Sequence, residues 1–163
     1  MSPRAVGLSA NLAAFLDTIA VSELTREVLM ESDDGYNVLV GSYPGNVKTF
    51  PDYSRHPHIE VEVRPGLVSS AAGRYQIIGR YADDYIKQLK LPDFGPESQD
   101  KIAIQMIGEC HALDDVEAGA IEDAVLACSS RWASLPGAQY GQHVNKMDEL
   151  LASYTQSGGS TVA

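Results

Sequence analysis

Apolar residues near the start of the chain recur with the period of one helix face: Leu12, Phe15, Leu16 and Ile19 stand three or four positions apart. Carried on by four residues, the stripe reaches Glu23. A carboxylate there is unusual, because burying an ionised one is costly unless it is paired or neutralised. The spacing predicts a helix from about Asn11 to Glu23 or slightly beyond, with Ser9 or Asn11 as its N-cap. From Asp33 to Pro65 the pattern turns to β. "YNVLVG" reads as a short apolar strand, "SYPGN" as a turn, and "IEVEVR" alternates strictly, with Ile59, Val61 and Val63 on one face.

Helical periods return afterwards. Tyr81, Tyr85 and Leu89 mark a helix that stops before Pro92, and Gly95-Pro96 opens another with the proline at its first position. The stripe of that helix is Ile102, Ala103, Met106, Ile107 and Cys110; Ile121, Ala124, Val125 and Cys128 form the next, and Val144, Met147, Leu151 and Tyr154 the last. The expected fold class is α+β: a small antiparallel sheet lobe and a mainly helical lobe, flanking a groove. With 163 residues and no internal repeat, one domain spanning 1–163 is expected, its ends (1–10 and 156–163) frayed.

The formal charge of −10 argues against nucleic-acid binding, which needs clustered cations over the phosphates. The most apolar N-terminal stretch, residues 5–21, carries Asn11 and Asp17, too broken for a membrane span or a signal peptide. A cytoplasmic product without membrane insertion is the expectation. Cys110 and Cys128 each sit on the apolar stripe of a predicted helix and read as reduced core thiols. "HPH" at 56–58 lacks the spacing of a zinc site, so no metal or other cofactor is expected.

Glu23 is the first chemical candidate. Partial desolvation raises a carboxyl pKa, and a helix C-terminus also favours the protonated form. A group so tuned is a competent general acid near neutral pH. The alternative at this level is a glutamate turned to solvent or paired with Arg26. A second candidate is "SSAAGRYQI", where small residues permit close backbone approach and Arg74, Tyr75 and Gln76 offer a guanidinium fork, an aromatic face and an amide. That mixture suits a sugar. "WASLPGAQYGQH" has similar content, bearing Trp132, Tyr140 and Gln142, with Trp132 read as core.

Six blocks in order, "AFLDTIAVSE", "GYNVLVG", "FPDYSRHP", "SSAAGRYQI", "QLKLPDFGPESQD" and "RWASLPGAQYGQ", resemble the lambda-phage type of endolysin over roughly Ala14 to Tyr154. The resemblance implies a lysozyme-like fold and degradation of peptidoglycan by lytic transglycosylation. Its single catalytic glutamate, in a Ser-Glu pair, maps onto Ser22-Glu23. The matching blocks supply Tyr53, His56, Ser70, Arg74, Tyr75, Gln76, Tyr140 and Gln142 as expected contacts to the glycan strand. A monomer is expected, and the resemblance also implies that it is held in the host cytoplasm until a holin opens the membrane, then acts on the wall. The chain departs from the pattern in three places: Leu24 follows Glu23 where Gly is usual, Gly41-Ser42 replaces a Gly-Gly, and the turn "SYPGNVKT" is longer. Two other readings stay open. One is a hydrolytic muramidase with Asp52 or Asp33 activating water; the other is a wall-binding virion protein silenced by Leu24.

Overall fold

A computed structural model describes residues 3–137 and 145–162. The described elements in chain order are α1 (Ala10–Leu24), α2 (Arg26–Met30), β1 (Val61–Arg64), β2 (Leu67–Ser69), α3 (Gly79–Leu89), α4 (Pro96–Glu109), α5 (Leu113–Ala118), α6 (Ile121–Cys128) and α7 (Met147–Gln156). The chain divides into two compact units. Unit 1 takes residues up to Glu23 and from Ala103 onward; unit 2 is the continuous stretch Leu24–Ile102.

In unit 1 the predicted stripe of α1 is core: Leu12, Phe15, Leu16 and Ile19 are all buried. Ser9 is the N-cap, its Oγ accepting from Leu12 N at 3.0 Å. α6 buries Ile121, Ala124, Val125 and Cys128 as its period requires. In α7 the buried positions are Leu150, Ser153 and Tyr154. Leu151 is only half-buried, so the predicted stripe was one residue out of phase; Val144 lies outside the described residues. Nor does the tail 156–162 fray. Tyr154 Oη donates to Ser160 O at 3.0 Å, Ser160 N donates to Asn11 Oδ1 at 3.0 Å, and Val162 N bonds Gly119 O at 3.1 Å. Small residues let that backbone lie flat on the unit, and a Cβ at Gly159 would collide with the Tyr154 ring.

In unit 2, β1 and β2 form an antiparallel hairpin pairing Val61 with Ser69, Glu62 with Val68 and Arg64 with Leu67, with an irregularity at Val63. Pro65-Gly66 makes its turn, Gly66 supplying the positive φ of 79°. The alternation in "IEVEVR" predicted one buried face, yet Ile59, Val63, Leu67 and Val68 are exposed, Val68 by 55%. A two-stranded ribbon twists strongly and cannot offer a continuous face to a core. "YNVLVG" is likewise no regular strand. Val38 and Leu39 make single bridges to Thr49 and Ala72, between Gly35 and Gly41 at φ of 85° and 83°. α3 and α4 form where periodicity placed them, and Pro96 does open α4. Among the described residues no helix is long and apolar enough to cross a membrane.

Candidate active site

Glu23 occupies the last turn of α1 and is half-buried. A run of polar groups in unit 1 leads to it. Asn145 Nδ2 donates to Ser22 Oγ at 2.9 Å and to Ser22 O at 3.0 Å. The Oγ atoms of Ser22 and Ser134 are 2.8 Å apart, and Ser134 Oγ donates to Glu23 Oε1 at 3.1 Å. An amide NH₂ can only donate, so Ser22 accepts from Asn145 and gives its own proton to Ser134. Ser134 then has its hydroxyl proton free for Glu23. The direction of the whole run is fixed by its first member. Asn145 N also donates to Ser134 O at 2.9 Å, which holds the serine in register.

Two opposed effects set the acidity of Glu23. Burial disfavours the carboxylate and dominates; the Ser134 hydrogen bond favours it, and the pKa rises from 4.5 to about 7. At neutral pH the group is close to half-protonated, able to give a proton and to take one back. Leu24 does not carry the helix past this point. It is the last residue of α1, it is buried, and Thr25 turns the chain at φ 71°. That backbone conformation is strained for a β-branched residue. Thr25 Oγ1 also caps α2 by accepting from Val28 N at 3.4 Å. The chain thus turns at Thr25, directly after Leu24, and Glu23 bonds Ser134.

The "SSAAGRYQI" segment does not present its side chains as the sequence suggested. Arg74 and Tyr75 have 0% exposure and are framework residues of unit 2. Tyr75 Oη donates to Asp100 Oδ1 at 2.6 Å and accepts from Arg74 Nη1 at 3.0 Å. Tyr36 Oη donates to the same Asp100 oxygen at 2.8 Å, and the Arg74 guanidinium lies over both tyrosine rings at 5.4 and 5.6 Å. Arg74 further donates from Nε to Asp34 O at 3.1 Å and faces Asp34 Oδ2 at 3.5 Å. Gly73 is required here, since its φ is 85° and a Cβ would collide with the Gln99 amide that accepts from Arg74 N. The expectation of glycan contact is corrected for both side chains: burial leaves them no surface for a ligand. Gln76, half-buried, closes its own turn by donating to Gly73 O at 2.9 Å.

His56 is corrected too. It is buried, with Nδ1 accepting from His58 N at 3.0 Å, so Nε2 carries the proton and donates to Ile77 O at 2.8 Å. Burial lowers its pKa and keeps the ring neutral. Tyr53 is half-buried, its hydroxyl donating to Asp33 Oδ2 at 2.6 Å. Ser70 Oγ accepts from Gly79 N at 3.1 Å at the start of α3. Of these predicted contacts Ser70 alone lines a cavity of about 450 Å³ in unit 2, with Val68 and Ile78 as apolar wall and Arg80 and an exposed His58–Asp83 pair as polar wall. Tyr140 and Gln142 lie outside the described residues. Asp52 accepts from its own turn, through Ser54 N at 2.8 Å and Ser54 Oγ at 2.9 Å, and these bonds lower its pKa.

Sequence reasoning passed over Ser134 and Asn145. Ser134 stands in the quoted "RWASLPGAQYGQ" block, and a small hydroxyl between Trp132 and Pro136 was the only available signal. A family model described as Endolysin matches residues 13–161. The endolysin of Escherichia phage P2 is 46% identical over 154 residues, covering 91% of this chain and 93% of its own length. The endolysin of Escherichia phage lambda is 46% identical over 148 residues, 90% of each chain. Among solved structures, the bacteriophage lambda lysozyme complexed with a chitohexasaccharide matches with a TM-score of 0.88 at 44% identity, over 96% of this chain and 99% of that one. A second bacteriophage lambda lysozyme gives 0.84 at 42% identity with the same coverage. At these identities the lysozyme-like α+β fold expected from the sequence is the fold of this chain.

Proposed function

This chain belongs to the endolysin family, and from that premise we propose that it opens the glycan strands of peptidoglycan by lytic transglycosylation, with Glu23 as the sole acid and base. The protonated carboxyl donates to the oxygen linking N-acetylmuramic acid to N-acetylglucosamine, and the substrate's acetamido group assists departure. The carboxylate so formed takes the proton of the muramyl 6-hydroxyl, whose oxygen closes on C1. The products are a 1,6-anhydromuramyl end and a free N-acetylglucosamine end; no water is consumed and no cofactor enters.

The observation that carries this reading is the half-buried Glu23 with a pKa of about 7 and a directed hydroxyl run behind it. One residue asked to be acid and then base needs its two forms close in energy, and that pKa provides it. Ser134 is suited to steady the carboxylate between the two proton transfers. A glycan as substrate is supported by the chitohexasaccharide that the solved lambda lysozyme carries. Ser70 and the cavity it lines within unit 2 are proposed as a separate glycan contact. The chain works as a monomer, waits in the host cytoplasm until a holin opens the membrane, and then acts on the wall.

Mass spectrometry of muropeptides released from purified sacculi tests the proposal. Anhydro ends are expected; hydrolysis would add one water per cut and would pass the role of base to Asp52 or Asp33. Sacculi left turbid by folded protein would refute both enzymatic readings. Glu23→Gln should fold and lose lysis, because the amide is nearly isosteric but moves no proton. Residual activity within about tenfold of the parent, worth only about 1.4 kcal/mol, would exclude Glu23 as the sole acid–base group.

A further inference from the structure

The polar run that ends on Glu23 begins at a side chain whose orientation the backbone dictates. Asn145 Nδ2 faces Ser22 O at 3.0 Å and Ser134 O at 3.4 Å. Carbonyl oxygens only accept, so the amide must turn its NH₂ toward them. Ser22 Oγ, 2.9 Å from the same nitrogen, therefore receives a proton rather than giving one to Asn145. The order that follows, Ser22 to Ser134 and Ser134 to Glu23 Oε1, ends on one carboxyl oxygen and not the other. Among the described residues no hydrogen bond reaches Oε2, and that atom is not sealed from solvent. No charged side chain among them pairs with Glu23 either; burial and Ser134 are what act on it.

We propose that Asn145 is a positioning residue for the acid–base step: acting through Ser22 and Ser134, it makes Oε1 of Glu23 the oxygen that accepts and leaves Oε2 as the oxygen that carries, gives and retakes the proton. The inference rests on the reading of Glu23 as the acid and adds the atom concerned. In the first step the Oε2 proton passes to the glycosidic oxygen as its bond to C1 breaks. In the second, Oε2 takes the proton of the muramyl 6-hydroxyl as that oxygen bonds C1. Oε1 keeps its bond from Ser134 throughout.

Without a fixed donor at its head the run has two orders. In one, Ser134 donates to Oε1. In the other, Ser134 turns its proton to Ser22 and can accept from a protonated Oε1. The second order hides the acid proton against Ser134 and deprives the carboxylate of its donor. Asn145 disfavours it, because Ser22 would then accept twice and its own proton would have no acceptor; Asn145 and Ser134 are the partners of its hydroxyl among the described residues. Asn145→Ala opens that place to water, which can give or take a proton, so both orders become available.

Protein labelled with ¹³C at the glutamate side-chain carboxyls is titrated from pH 4 to 9 by NMR, the Glu23 signal being identified by its loss in Glu23→Gln. Asn145→Ala and Ser22→Ala should each raise the Glu23 midpoint by roughly half a pH unit, about threefold in its ionisation constant, and the double variant should go no further, since both break one run. At pH 5.5, where the carboxyl is protonated in each protein, Asn145→Ala should still open sacculi roughly two- to tenfold more slowly per folded molecule, the range of one hydrogen bond. An unmoved or lowered midpoint, an Asn145→Ala shift undiminished in the Ser22→Ala background, or a parental rate at pH 5.5 would each overturn the proposal. The backbone bond from position 145 to Ser134 O survives the substitution, and Ser22→Ala, with the same expected shift, keeps the test decisive if Asn145→Ala fails to fold. The titration needs no substrate, so a parent that leaves sacculi intact refutes the lytic reading while the midpoints still decide the run.

Discussion

Glu23→Gln should make the folded protein more stable at neutral pH, not less. The folded state raises the pKa of Glu23 from 4.5 to about 7. Between those values the folded chain holds a proton that the unfolded chain has released, so stability falls as pH rises through that window. Below pH 4.5 both states carry the proton and the full stability is present; above pH 7 both have lost it and the penalty is constant. At about 1.36 kcal/mol per pH unit, the penalty is at most about 3 kcal/mol. The carboxyl is only half-buried, so solvent screening reduces this, and about 1–2 kcal/mol is expected. For a chain of this size that is roughly 2–8 °C in Tm. The amide keeps an oxygen for Ser134 to donate to and carries no charge, so it escapes the penalty. Thermal denaturation of both proteins from pH 4 to 8 checks the reasoning: the curves should meet at pH 4, and the variant should lie higher by pH 7.5. A Tm difference that stays constant across the range, or one that favours the parent at pH 7.5, would refute the buried-acid account of Glu23.

Two further expectations follow from neighbouring contacts. Ser134→Ala removes the hydrogen bond that holds the Glu23 pKa down, so the alkaline limb of the lysis–pH profile should move up by roughly one pH unit; an unmoved limb would mean that Ser134 does not act on the acid. Tyr75→Phe deletes a hydroxyl that donates to Asp100 and accepts from Arg74, costing about 2–4 kcal/mol at a buried charge, so Tm should drop while kcat/KM of the folded fraction holds; a loss of kcat/KM at constant Tm would return Tyr75 to the glycan contacts expected from the sequence.

The helices were legible because burial of a single stripe writes a period into the sequence, as in α1, α3, α4 and α6. α2 and α5, five and six residues long, are too short to show one. Glu23 stood out because a carboxylate interrupts such a stripe, and a chemical conflict of that kind is local. Its supports are not local. Ser134 lies 111 residues from Glu23, and Asn145 lies 123 from Ser22, so no window of sequence holds them together. Arg74 and Tyr75 were misread for a related reason. A guanidinium, a phenol and an adjacent glycine suit a sugar or a buried network equally well, and the deciding partners, Tyr36 and Asp100, are distant in the chain.

The discontinuous make-up of unit 1 has a consequence for the order in which the chain becomes competent. A ribosome has delivered every residue of unit 2 by Ile102, whereas unit 1 takes in residues from Ala103 onward. Synthesis runs at about 5–20 residues per second, and a continuous unit can begin to fold before its successor exists. Glu23 is translated early, but the serine and asparagine that tune it arrive long afterwards. An incomplete chain, stalled or cut before Ser134, lacks the hydroxyl that offsets the effect of burial on Glu23. The polar run that ends on Glu23 is therefore completed only near the end of synthesis.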